Sequence, residues 1–138
     1  MAKNPIFIPK SNLHLMDAKQ SLFYGLGQIA YAVAQADGKV QREEREKLNS
    51  MLKHEIKNID ADFDYTDIIF QLLDKEHIDF ETSYKWGIDS MKLGSHKMTN
   101  ELKWSFLDLI CKVAEAYPPS TKNELELVSR FTKDLRKI

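Results

Sequence analysis

Apolar residues recur at steps of three and four along most of this chain, a spacing that predicts helices rather than strands. From about Asn12 to Ala36 the positions Leu15, Leu22, Leu26, Ile29 and Val33 form one such stripe, flanked by Gly27, Ala30 and Ala34, whose small side chains permit a neighbouring helix to come close. Gly38 follows the last periodic residue and turns the chain, because a residue without a Cβ enters the left-handed region cheaply. A second helix is expected from about Gln41 to Lys57, with Leu48, Met51, Leu52 and Ile56 inside and Arg42, Glu43, Arg45, Glu46 and Lys53 in solvent.

Beyond the polar loop Asn58 to Asp64, three further helical segments follow from the same pattern. They are Tyr65 to Asp74, Phe80 to Leu93 closed by Gly94, and Thr99 to Tyr117 with Leu102, Phe106, Leu109 and Val113 along one side. Pro118 and Pro119 forbid continuation, and Thr121-x-x-Glu124 is a capping box that starts a last helix at Ser120 or Thr121. The expected buried face of that helix is Leu125, Val128, Phe131 and Leu135; its basic end, with Arg130, Lys133, Arg136 and Lys137, complements the negative pole of the helix dipole. Nothing alternates with period two over a useful length. Residues 1–12 hold Pro5 and Pro9 around Ile6-Phe7-Ile8 and read as an extended arm, leaving 13–138 as a single helical domain.

An internal repeat orders these helices. Eighty residues separate Leu22 from Leu102, Ile29 from Leu109, Val33 from Val113, Ala34 from Ala114, Ala36 from Ala116, Glu44 from Glu124 and Glu46 from Glu126, with Leu48 and Val128 a conservative match. The expected fold is therefore all-α: a single-domain bundle of about six to seven helices, built from two helix-turn-helix halves related by a pseudo-two-fold. That symmetry would bring the two corners together.

At 138 residues the chain is long enough to bury roughly two-thirds of the surface its unfolded form exposes, so it needs no staples. Twenty basic residues face 21 acidic ones, which removes the basic footprint of a nucleic-acid binder. No apolar run approaches a membrane span, and Ile6-Phe7-Ile8 is too short and too Pro-flanked for a secretory signal. With Cys111 the single cysteine, expected as a small buried hydrophobe, the reading is a soluble cytoplasmic protein.

The chemistry gathers at the first corner. Asp37-Gly38-x-Val40-x-x-x-Glu44 reproduces the second half of a calcium-binding EF-hand loop, but Val33 and Gln35 stand where the first ligands belong, so a true EF-hand is rejected. In a purely structural account Gly38 caps a helix, Val40 plugs the core, and Glu43 and Glu44 meet the positive pole of the second helix. Asp37 resists that account: it sits at the negative pole of the first helix and needs amide donors or a cation to compensate. Asp60-x-Asp62-x-Asp64 fails as a calcium loop, since Tyr65, Asp67 and Gln71 occupy its glycine, apolar and glutamate positions; Asp64 reads instead as a helix N-cap.

His14, His54, His77 and His96 make no zinc signature with each other or with Cys111, and Asp74-x-x-His77 lacks the second pair and the glutamates of a di-iron bundle. No nucleophile elbow or phosphate-binding glycine loop is present. Trp86 and Trp104, with Tyr84 and Phe106, are spaced as core aromatics. The sequence gives no reason to expect an enzyme.

The run Ile29-Ala30-Tyr31-Ala32-Val33-Ala34-Gln35-Ala36-Asp37-Gly38-Lys39-Val40, followed by Glu44, resembles the tellurite-resistance TerB-like family, whose hallmark is Ala-Asp-Gly-x-Val with a downstream Glu. The resemblance covers most of the chain beyond the arm. It implies an all-α cytoplasmic bundle without catalytic activity, tied to tellurite and other chemical stress, that binds divalent cations through acidic residues. Asp37, Gly38 and Glu44 carry over. Where the family often repeats its Asp-Gly turn this chain has Tyr117 and Pro118, so Glu124, with Glu115 at the position of Gln35, is what remains acidic in the second half. The expectation is a non-enzymatic module that holds a divalent cation weakly through Asp37, Glu44 and Glu124. The alternative is a protein–protein interaction module with a structural corner, for which the Ile6-Phe7-Ile8 arm is one candidate surface.

Overall fold

The structure, a computed structural model, describes residues 18–36, 42–60, 78–116 and 122–138. Among them are five α-helices and one 3-10 turn, and no strand: α1 (Ala18–Gln35), α2 (Arg42–Ile59), α3 (Phe80–Leu93), the 3-10 turn Ser95–Lys97, α4 (Asn100–Ala116) and α5 (Lys122–Arg136). The arm, the helix expected over Tyr65 to Asp74, and the turn residues Asp37, Gly38, Val40, Tyr117 and Pro118 lie outside the described residues.

α1 is the centre of an all-helical bundle. Every residue from Leu22 to Ala34 is buried, so the single stripe expected of it is corrected: Phe23, Tyr24, Gln28 and Tyr31 are inside as well. The cause is enclosure, since α3, α4, α5 and the 3-10 turn all pack on this one helix, and a helix covered on all sides has no solvent face.

The closest crossing is between α1 and α3. It falls at Gly25 and Gly87 rather than at Gly27: a Cβ on Gly87 would lie 2.8 Å from the Gly25 carbonyl oxygen, and one on Gly25 would run into the Gly87 carbonyl. Ser83 and Ser90 continue this small-residue seam on α3. The Ser83 hydroxyl donates to the Gln28 backbone carbonyl (2.7 Å) and the Ser90 hydroxyl to Gln28 Oε1 (3.2 Å), pairing polar groups in the apolar interior. Asp79 caps α3 by accepting from the Thr82 amide (2.8 Å), and Gly94 closes it. Gly94 has a negative φ of −104°, so close packing sets its identity: a Cβ there would strike the Ala18 carbonyl.

The last helices show where the repeat holds and where it slips. Leu26 and Phe106, Ile29 and Leu109, Val33 and Val113, and Ala34 and Ala114 are all buried, but Leu102 is half-buried where Leu22 is buried and Ala116 is exposed where Ala36 is buried. In α2 the buried residues are Leu48, Leu52 and Ile56, yet α5 buries Leu127, Phe131 and Leu135, which correspond at 79. α5 is thus turned by one residue, about 100°. Leu125, expected inside, is 59% exposed; Val128 is half-buried, and Glu124 and Leu127 take the inner face.

Candidate functional site

Two helix ends meet at the sequence-predicted corner. Ala36, the residue before Asp37, is buried, and its carbonyl accepts from Asn123 Nδ2 at 3.3 Å. That bond joins the end of α1 to the first turn of α5, immediately beside Glu124. Glu124 is fully buried with partners of its own, while Glu44 is half-buried in the first turn of α2, also with partners. Both carboxylates stand at helix N-termini, where the positive pole favours them. Asp37 and Gly38, the other two residues expected at this site, lie outside the described residues. Among the described residues no three His, Cys, Asp or Glu side chains gather as a metal group. A divalent cation would need Asp37 to join Glu44 and Glu124.

Several other described acids are tied to structure. Asp60 Oδ2 pairs with Lys19 Nζ at 3.0 Å, fastening the start of α1 to the end of α2. Lys112 bridges Glu55 (3.1 Å) and Asp108 (3.3 Å), which joins α2 to α4 and raises the Lys112 pKa through those hydrogen bonds. On α5, Arg130 grips both oxygens of Glu81 (2.8 and 3.0 Å) and lies 4.4 Å from the centre of the Tyr84 ring; the Tyr84 hydroxyl donates to Asp134 at 2.7 Å. Burial and the Asp134 carboxylate push the Tyr84 pKa up, so it stays protonated and serves as a donor.

Cys111 is half-buried rather than fully enclosed. Burial, then Glu115 and Asp108, push its thiol pKa up, the opposite of what a nucleophilic thiolate requires. His54 and His96 are exposed.

Trp104 overturns the expectation of a core aromatic. Phe106 is fully buried, edge-on to Phe23 with centroids 5.4 Å apart, and Trp86 is half-buried, but Trp104 is 72% exposed. Two residues before Phe106 is about 200° around a helix, which aims Trp104 away from the stripe that α4 buries. It borders a groove of ≈ 350 Å³ between α4 and α5, lined by Asn100, Lys103, Trp104 and Leu107 from one helix and Thr132, Leu135 and Arg136 from the other. The signal for it was present in the sequence: Trp104 and Leu107 share a side of α4 that the repeat stripe does not use.

No described helix is long and apolar enough to cross a membrane. Comparison of the chain with family profiles, with curated proteins and with solved structures finds no match.

Proposed function

We propose that this chain is a non-enzymatic, cytoplasmic helical module of the TerB-like kind, acting in the response to tellurite or related chemical stress, and that its corner holds a divalent cation weakly through Asp37, Glu44 and Glu124. The observation that carries the reading is the Asn123 to Ala36 hydrogen bond, which sets the first turn of α5 against the residue preceding Asp37. The burial of Phe106, Leu109, Val113 and Ala114 on α4 supports a bundle of about six to seven helices in pseudo-two-fold halves, with the helix over Tyr65 to Asp74 among them. The slipped register of α5 weighs on the side of unequal corners, as do Tyr117 and Pro118.

A ligand that prefers the native state stabilises it by mass action, by about 1.4 kcal/mol at ten times its Kd, or roughly 4 °C in a chain of this size. Calcium, magnesium, manganese and zinc are therefore titrated against thermal unfolding. At least one should raise the transition of the wild type and leave Asp37→Asn unmoved. Identical behaviour of the two proteins with all four ions would end the cation reading.

A second reading keeps the corner structural and makes the module a protein-binding one. The complete burial of Glu124 favours it, because a carboxylate packed into a helix junction is a fastening as readily as a ligand. In that case neither protein responds to cations, and function resides on an exposed face.

A further inference from the structure

We propose that the groove between α4 and α5 docks an acidic amphipathic helix of a partner protein, with Trp104 as the apolar anchor and Lys103 and Arg136 as the charged rim. This rests on the protein-binding reading above and gives it a place and a partner chemistry; it is independent of whether the corner binds a cation.

The floor of the groove is apolar. Trp104 is 72% exposed, and Leu107 and Leu135 lie beside it. A solvent-exposed tryptophan next to a cleft is the residue type that dominates binding energy at protein interfaces. The lining residues come from two helices at steps of three and four, Lys103 with Leu107 on one and Thr132 with Leu135 and Arg136 on the other, so the cleft follows the helix axes and suits a third helix laid along them.

Charge selects the occupant. Lys103 and Arg136 have no carboxylate partner among the described residues and both line the groove. Two cations beside an apolar floor complement a segment that carries Asp or Glu next to its apolar face. The same rim argues against two other occupants. A second copy meeting this groove about a two-fold would bring Lys103 and Arg136 against their own counterparts. Residues 1–12 of the chain hold Lys3 and Lys10 and no acid, so they share the sign of the rim.

The test is selection of binders from a displayed library of helical peptides against the full chain, followed by titration of the selected peptides, fluorophore-labelled, by fluorescence anisotropy. Enriched sequences should combine large apolar residues at three- and four-residue steps with net negative charge. Their Kd should rise at least tenfold with Trp104→Ala and with the double variant Lys103→Glu, Arg136→Glu, and should weaken as salt increases. Both variants alter exposed or half-buried positions, and circular dichroism checks that each remains folded; if one does not, the other decides. Enrichment of neutral or basic peptides, or selected peptides that bind both variants as well as wild type, would overturn the groove while leaving a protein-binding role in place. Failure to enrich any peptide would count against both. Concentration-dependent dimerisation lost in Trp104→Ala would show that the face belongs to a second copy, and would also overturn the proposal.

Discussion

At Gly87 a single methyl group decides whether two helices can touch. A Cβ there would sit 2.8 Å from the Gly25 carbonyl and against Ile29, so Gly87→Ala should cost about 1–3 kcal/mol through overpacking, read as a lower urea midpoint with an unchanged slope. Leu125 and Leu127 are a sharper pair. They differ by two positions, yet one is 59% exposed and the other 3%: Leu127→Ala should cost about 2–5 kcal/mol and Leu125→Ala within about 0.5 kcal/mol. Asp79 adds a pH dependence, because hydrogen bonds from Thr82 hold its carboxyl below the usual range. The charged cap favours the fold above the unfolded pKa of about 3.9, and its contribution is lost as pH falls through the lower folded-state value. Asp79→Ala should therefore cost about 1 kcal/mol at pH 7, and denaturant titrations in acid should show the gap to wild type closing.

Between elements, polar clasps fix how the helices sit once apolar burial has brought them together. Tyr84 ties α3 to α5 through Asp134, so Tyr84→Phe should lose about 1.5–3 kcal/mol, the range for a hydrogen bond to a charged group, without altering helix content by circular dichroism. Phe80–Leu93 was readable to the residue, and Thr99 caps the following helix by accepting from the Leu102 amide at 3.1 Å. Which side of α5 turns inward was not readable. Leu125, Leu127 and Val128 offer two overlapping stripes, and hydropathy alone does not choose between them. The packing of α5 on α1 and α4 shows the outcome, with Leu127 and Glu124 inside.

For the molecule as a whole, α1 as an enclosed axle explains why stability and surface function can be separated. Trp104 faces away from that axle, so Trp104→Ala should leave the thermal midpoint within about 2 °C of wild type, consistent with a surface change of less than about 0.5 kcal/mol. A larger fall would mean that the tryptophan packs structurally.

The sequence by itself determined the described helices and their order, because three- and four-residue periodicity, caps and prolines act over a few neighbouring residues. It also marked Asp37, Glu44 and Glu124 as the acids to watch. Tertiary structure alone decided that α1 is buried all round, that Gly25 meets Gly87 and that Asn123 reaches Ala36. Those outcomes depend on which helices are neighbours and on how each is rotated about its axis, and both are set by contacts between residues tens of positions apart in the chain.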